Sequence, residues 1–185
     1  MLAAQEGHLC IVRILLGRRA NVSIASKEGT TALHVSAKNG YLAVIIDLVV
    51  AGADLEARES CHGATPLHLA AQEGHSEVVE ALIGAGAKKD CRSRDGSTPL
   101  CIAALHGRSD AVKQLLRAKA SPLLAATGSH GSTDIVPLVM AVHRGHSEVV
   151  REFIQVGIKC CGSESDGLLA LVFAAMSRCV DIIVS

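Results

Sequence analysis

Aromatic side chains are nearly missing: the 185 residues hold two Phe, one Tyr and no Trp. A packed core must therefore be built from Leu, Val, Ile and Ala. There are also few rings on which exposed bases could stack, which counts against nucleic-acid binding. Charge of one sign is not in excess, because 18 Lys+Arg meet 18 Asp+Glu. The basic surplus that draws proteins to nucleic acids or membrane surfaces is absent. No apolar run reaches the ~18 residues of a membrane span. The nearest, from Tyr41 to Ala53, carries Asp47 and fits a buried helix better. The opening MLAAQEGHLC reads as the middle of a helix, with Glu6 and no basic stretch, so no signal peptide is predicted. The seven cysteines form no CxxC pair and are odd in number. That pattern favours a reducing compartment over a disulfide framework, and a cytoplasmic location is expected. No GxxxxGK[ST] phosphate loop occurs.

What the chain does contain is apolar residues, 49% of the total, set in a periodic pattern. The clearest stretch is Thr65 to Ala87, TPLHLAAQEGHSEVVEALIGAGA. Thr65-Pro66 is a helix start: the hydroxyl caps free N–H groups, and Pro fits where its missing N–H would be unpaired anyway. Leu67, Ala70 and Ala71 then make a small-residue face. Gly74 supplies a tight turn. Val78, Val79, Leu82 and Ile83 form one stripe of a second helix, and Gly86 stands where a left-handed residue ends it. Each helix is too short to persist alone in water, so the pair requires neighbours.

Those neighbours are in the sequence. Turn glycines recur at Gly7, Gly40, Gly74, Gly107 and Gly145, in steps of 33, 34, 33 and 38 residues. The next register position is Arg178, which breaks the series. AQEGH occurs at Ala4–His8 and Ala71–His75, and GHSEVV at Gly74–Val79 and Gly145–Val150. The second-helix stripe repeats as Ile11, Val12, Leu15, Leu16, then Val44, Ile45, Leu48, Val49, and onward to Val149, Val150, Phe153, Ile154.

With TPLH at Thr65–His68, TALH at Thr31–His34, TPLC at Thr98–Cys101 and GHxxVV on this period, the chain resembles the ankyrin-repeat family across nearly its whole length. The resemblance implies an all-α repeat solenoid of stacked helix pairs with projecting β-hairpin or turn fingers. A pair with two apolar faces must in any case stack on both sides. The expected units are 1–26, 27–60, 61–93, 94–131, 132–164 and 165–185. The first and last are partial and end without polar caps, so a piece of a longer array and self-association through the uncapped ends are both expected.

Departures from the pattern carry expectations of their own. Val136-Pro137 and Leu169-Ala170 lack the hydroxyl cap. Arg19 and Lys119 replace the Gly that ends the second helix, which predicts strain there. The connector Ser121 to Asp134 is extended and rich in Gly and Ser. The C-terminal half is accordingly expected to be less stable than 27–118.

No group stands out as catalytic. His34, His68, His8, His75 and His146 hold repeat positions and are read as structural. His62, His106, His130 and His143 are off-register. Cys61-His62 and Cys160-Cys161 have no matching second pair, so no metal or other cofactor is expected. A distant Cys–His nucleophilic pair is not something sequence alone excludes, but nothing positive supports an enzyme.

The family resemblance implies recognition of a protein or peptide by the finger tips and first helices. Mapped here, those positions are Lys27, Glu28, Thr30, Lys38 and Asn39; Cys61, His62, Ala64, Gln72 and Glu73; Arg94, Asp95, Ser97, Leu105 and His106; then His143 and Arg144. Arg92 joins Lys88, Lys89 and Arg94 in a basic fourth finger suited to an acidic ligand. The alternative is that these polar residues are only a wetted surface. At the level of the whole protein, the chain is read as an interaction scaffold. The alternative is that it is the recruiting arm of a larger enzyme, channel or ubiquitin-ligase adaptor whose other domain lies outside this chain.

Overall fold

A computed structural model describes residues 1–122, 124 and 137–156. The Ser121–Asp134 connector beyond those bounds, the Val136 and Leu169-Ala170 substitutions, the unit from 165, His130, and Cys160, Cys161 and Cys179 lie outside the described residues. Ten helices form five pairs among the described residues. They are α1 (Leu2–Gln5) with α2 (Leu9–Gly17), α3 (Ala32–Asn39) with α4 (Leu42–Val50), α5 (Pro66–Glu73) with α6 (Ser76–Gly84), α7 (Pro99–Leu105) with α8 (Ser109–Arg117), and α9 (Pro137–His143) with α10 (Ser147–Gln155).

The first helices pack in sequence, α1 on α3, α3 on α5, α5 on α7 and α7 on α9. The second helices form a parallel row, α2, α4, α6, α8, α10. Small residues permit this closeness: Ala37, Ala70, Ala71, Ala103, Ala104 and Ala141 are fully buried between first helices. The outer layer is sealed by the stripe predicted from sequence, including Val44, Ile45, Val78, Val79, Leu82, Val112, Leu115 and Phe153, each at most 1% exposed.

The helix starts are cross-braced. The Thr31 hydroxyl accepts from the His34 N–H, and Thr98 does the same for Cys101 (3.2 Å). The Thr31 and Thr65 N–H groups donate to Nδ1 of His34 and His68, each at 3.2 Å. That leaves the Nε2–H of each ring to donate to the next finger, His34 to the Ala64 carbonyl (3.2 Å) and His68 to the Ser97 carbonyl (3.1 Å). Cys101 cannot bridge as a ring does, and its thiol reaches the Leu124 carbonyl instead (3.3 Å).

A second brace sits at the turns. His75 and His146 reach back to the carbonyls of Lys38 (2.9 Å) and Leu105 (3.0 Å), and Arg108 to that of Gln72 (2.9 Å). Each passes over the preceding turn glycine. A Cβ at Gly40 would lie 2.7 Å from the His75 ring, and one at Gly107 2.6 Å from that of His146. His8 holds the same register position but is exposed, and among the described residues its ring makes no hydrogen bond, so a bracing role is not seen there.

The fingers are hydrogen-bonded turns rather than long strands. Among the described residues the one β-bridge pairs Ala25 with Thr31. Successive fingers are tied by Ser60 N–H to the Glu28 carbonyl and Arg94 N–H to the His62 carbonyl, both 2.7 Å.

Arg19 and Lys119 adopt φ of 58° and 60°, the left-handed region, where Gly52 and Gly86 stand in other units. A Cβ is disfavoured in that conformation by ~1 kcal/mol. Lys119→Gly is expected to raise stability by about that amount. The check is a higher urea midpoint with an unchanged m-value.

Candidate functional site

A groove of ≈ 490 Å³ runs between the fingers and the first helices of the second, third and fourth pairs. Three repeat-equivalent side chains, Val35 of α3, Leu69 of α5 and Ile102 of α7, are half-buried in it and give it an apolar floor. They face the groove because they lie two residues after Leu33, Leu67 and Leu100, which turn inward and are fully buried. One turn further along, Lys38, Gln72 and Leu105 form a second row. The wall opposite is made by finger residues, among them Glu59, Cys61, His62, Ser93, Asp95 and Ser97.

Both wall carboxylates are already engaged. Glu59 accepts from the N–H groups of His62 (2.6 Å), Cys61 (2.8 Å) and Ala64 (3.4 Å). Burial alone would raise its pKa, but these N–H donors outweigh it and hold the carboxyl below its ordinary value. Asp95 accepts from the Ser93 and Ser97 hydroxyls and the Ser97 N–H. It too is held low, the donors overcoming the effect of burial. These carboxylates shape the finger turns. Lys38, by contrast, is exposed, and among the described residues its ammonium group has no partner and no other Lys or Arg lines the groove. The His106 ring has its pKa lowered, by burial first and then by Arg108, so it is neutral near pH 7.

The sequence-predicted surface residues divide in three. Thr30, Lys38, Cys61, His62, Ala64, Gln72, Asp95, Ser97, Leu105 and His106 come together around the groove. Lys27, Glu28, Arg92, His143 and Arg144 are exposed but do not line it. Others serve the scaffold. The Asn39 amide donates to the Gln5 carbonyl (2.8 Å), and Glu73 accepts from Gln72 (3.2 Å). The Arg94 guanidinium is bonded to the Ser60 carbonyl, with Cys61 O at 3.5 Å. Arg94 is therefore a clasp between fingers. Reversing its charge would break that clasp. Arg58 makes the reciprocal contact, to the carbonyls of Gly63 (3.1 Å) and Arg92 (2.6 Å).

Sequence reasoning missed the floor. Val35, Leu69 and Ile102 share a register position and are all apolar, a signal that was available. Helical periodicity by itself does not separate a core residue from an apolar residue that only half enters the core.

Cys91 lies 3.8 Å from His68 Nδ1, but that nitrogen already accepts from Thr65, and burial pushes the Cys91 thiol up. The Cys61 thiol is raised as well, by the neighbouring Glu59 carboxylate. Neither thiol is activated toward the thiolate a nucleophile requires. Among the described residues no three His, Cys, Asp or Glu side chains gather to hold a metal. None of the described helices is long and apolar enough to cross a membrane.

Stacked helix pairs with turn fingers and a groove along the first helices define a solenoid of the protein-interaction type. The family model for ankyrin repeats (3 copies) matches residues 1–93 and 45–126. The chain belongs to the ankyrin-repeat family, a non-catalytic module that generally mediates protein–protein interaction. A search of curated proteins gave no match.

Proposed function

We propose that this chain is an interaction scaffold that holds an extended segment of a protein partner in the groove over Val35, Leu69 and Ile102. The observation that carries this reading is the floor itself. Three half-buried aliphatic side chains lie in a row on first helices, rimmed by polar finger residues. An apolar strip with a polar rim is the usual composition of a recognition surface. A cytoplasmic, reducing setting accords with the free thiols of Cys10, Cys61, Cys91 and Cys101.

The test places a photo-crosslinking amino acid at Gln72 in the groove and, in a second protein, at Glu80 on exposed α6. A partner captured from Gln72, not from Glu80, and lost when Leu69 is changed to Asp, is the expected result. Capture from Glu80 alone would move the interface to the second helices and defeat the reading.

A further inference from the structure

Resting on that reading, we infer the chemistry of the segment the groove takes: an acidic residue and a large apolar residue about five to six positions apart in an extended chain. The row Lys38, Gln72, Leu105 occupies one register position on three successive first helices, yet changes from cation to amide to aliphatic along the groove. A bound segment therefore meets a different chemistry at each step.

At the first step, the Lys38 ammonium has no partner among the described residues, and the groove's carboxylates do not supply one. Glu59 and Asp95 turn their oxygens to N–H and hydroxyl groups of their own fingers. A ligand carboxylate is the complement for that charge. At the third step Leu105 is half-buried beside Ile102, and the neighbouring His106 ring is uncharged near neutral pH. That end accepts an aliphatic or aromatic side chain. Between them Gln72, whose amide nitrogen gives one N–H to Glu73, keeps a second N–H and its carbonyl acceptor, which suits the backbone of an extended chain. Two repeat steps span ~16–20 Å at ordinary helix spacing. An extended chain covers that in about five to six residues, which sets the separation of the two anchors.

The experiment selects from a displayed library of random peptides about 12 residues long, twice the required span, against the folded protein. Binders that fail on Leu69→Asp are kept as groove-dependent. Enrichment of Asp or Glu five or six positions from a large apolar residue is the expected outcome. The best peptide should then lose about tenfold in affinity on Lys38→Glu. It should regain that affinity when its own acidic residue is changed to Lys. Leu105→Gln should weaken it comparably, whatever its charge. Lys38 is exposed, so its variant should keep its melting temperature, read by circular dichroism. Groove-dependent peptides without this spacing, or without sensitivity to Lys38, overturn the inference and leave the groove reading standing. A selection that yields no groove-dependent peptide overturns both.

Discussion

Acidifying the protein from pH 7 to pH 4 should cost about 3 kcal/mol of folding stability through His68 alone. His68 is fully buried, and its pKa is pushed from 6.5 to about 4. Burial is the main cause. Arg58 adds to it, while the Ser97 and Cys91 backbone and Asp95 pull the other way. In the folded chain the ring is neutral, with Nδ1 accepting from Thr65 N–H and Nε2–H donating to the Ser97 carbonyl. The unfolded chain takes up a proton below pH 6.5 and the folded chain does not until about 4. The unfolded state thus binds more protons across that window. Stability is full above 6.5, falls between 6.5 and about 4, and loses nothing further from this group below that. His34, also lowered by burial, shifts in the same direction.

Urea midpoints taken at successive pH values check this. Glu59 and Asp95 add their own loss, but as carboxylates held low they contribute only at the acid end. A decline between pH 6.5 and 5 belongs to the histidines, and His68→Gln should be less stable yet flatter there. A flat profile for the parent protein would contradict the assignment of neutral, bridging rings.

The second large effect is at Leu82. Replacing it with Ala is expected to destabilise by about 3 kcal/mol, the transfer loss plus the cavity left behind. Leu82 has no exposed surface, being enclosed by α4 and α8 on either side of α6. Leu15 holds the same register position in the first pair but is 44% exposed. Leu15→Ala should therefore cost about 1 kcal/mol, in proportion to the smaller apolar area it withdraws from water. Denaturant unfolding of both variants measures the difference. Equal losses would mean that the two positions are equally packed, against the observed burial.

This pair of leucines marks where sequence reasoning ends. Period, turn glycines and stripes located the described helix pairs, because short-range hydrogen bonding and side-chain periodicity are local properties. The bridging role of His34 and His68 was legible for the same reason, since TALH and TPLH fix both the cap and the ring. The left-handed Arg19 and Lys119 were legible from their places beside glycines of other units. Part of the candidate site was legible too: ten of the surface positions read from the repeat register meet around one groove.

What the sequence by itself determined is thus the repeat: its length, its helix pair and the family it belongs to. Tertiary structure alone decided how each copy uses equivalent residues. Leu15 and Leu82 are identical in type and register, yet Leu82 is enclosed between α4 and α8 and Leu15 is 44% exposed. Arg94 and Asn39, read from sequence as recognition positions, also bond to backbone carbonyls of the adjoining repeat, which only stacking brings within their reach. Val35, Leu69 and Ile102 became a floor only because stacking left a groove above them. The physical reason is the same each time. Burial and hydrogen-bond satisfaction are properties of a residue's neighbours, and in a stacked array most neighbours come from the adjoining repeat.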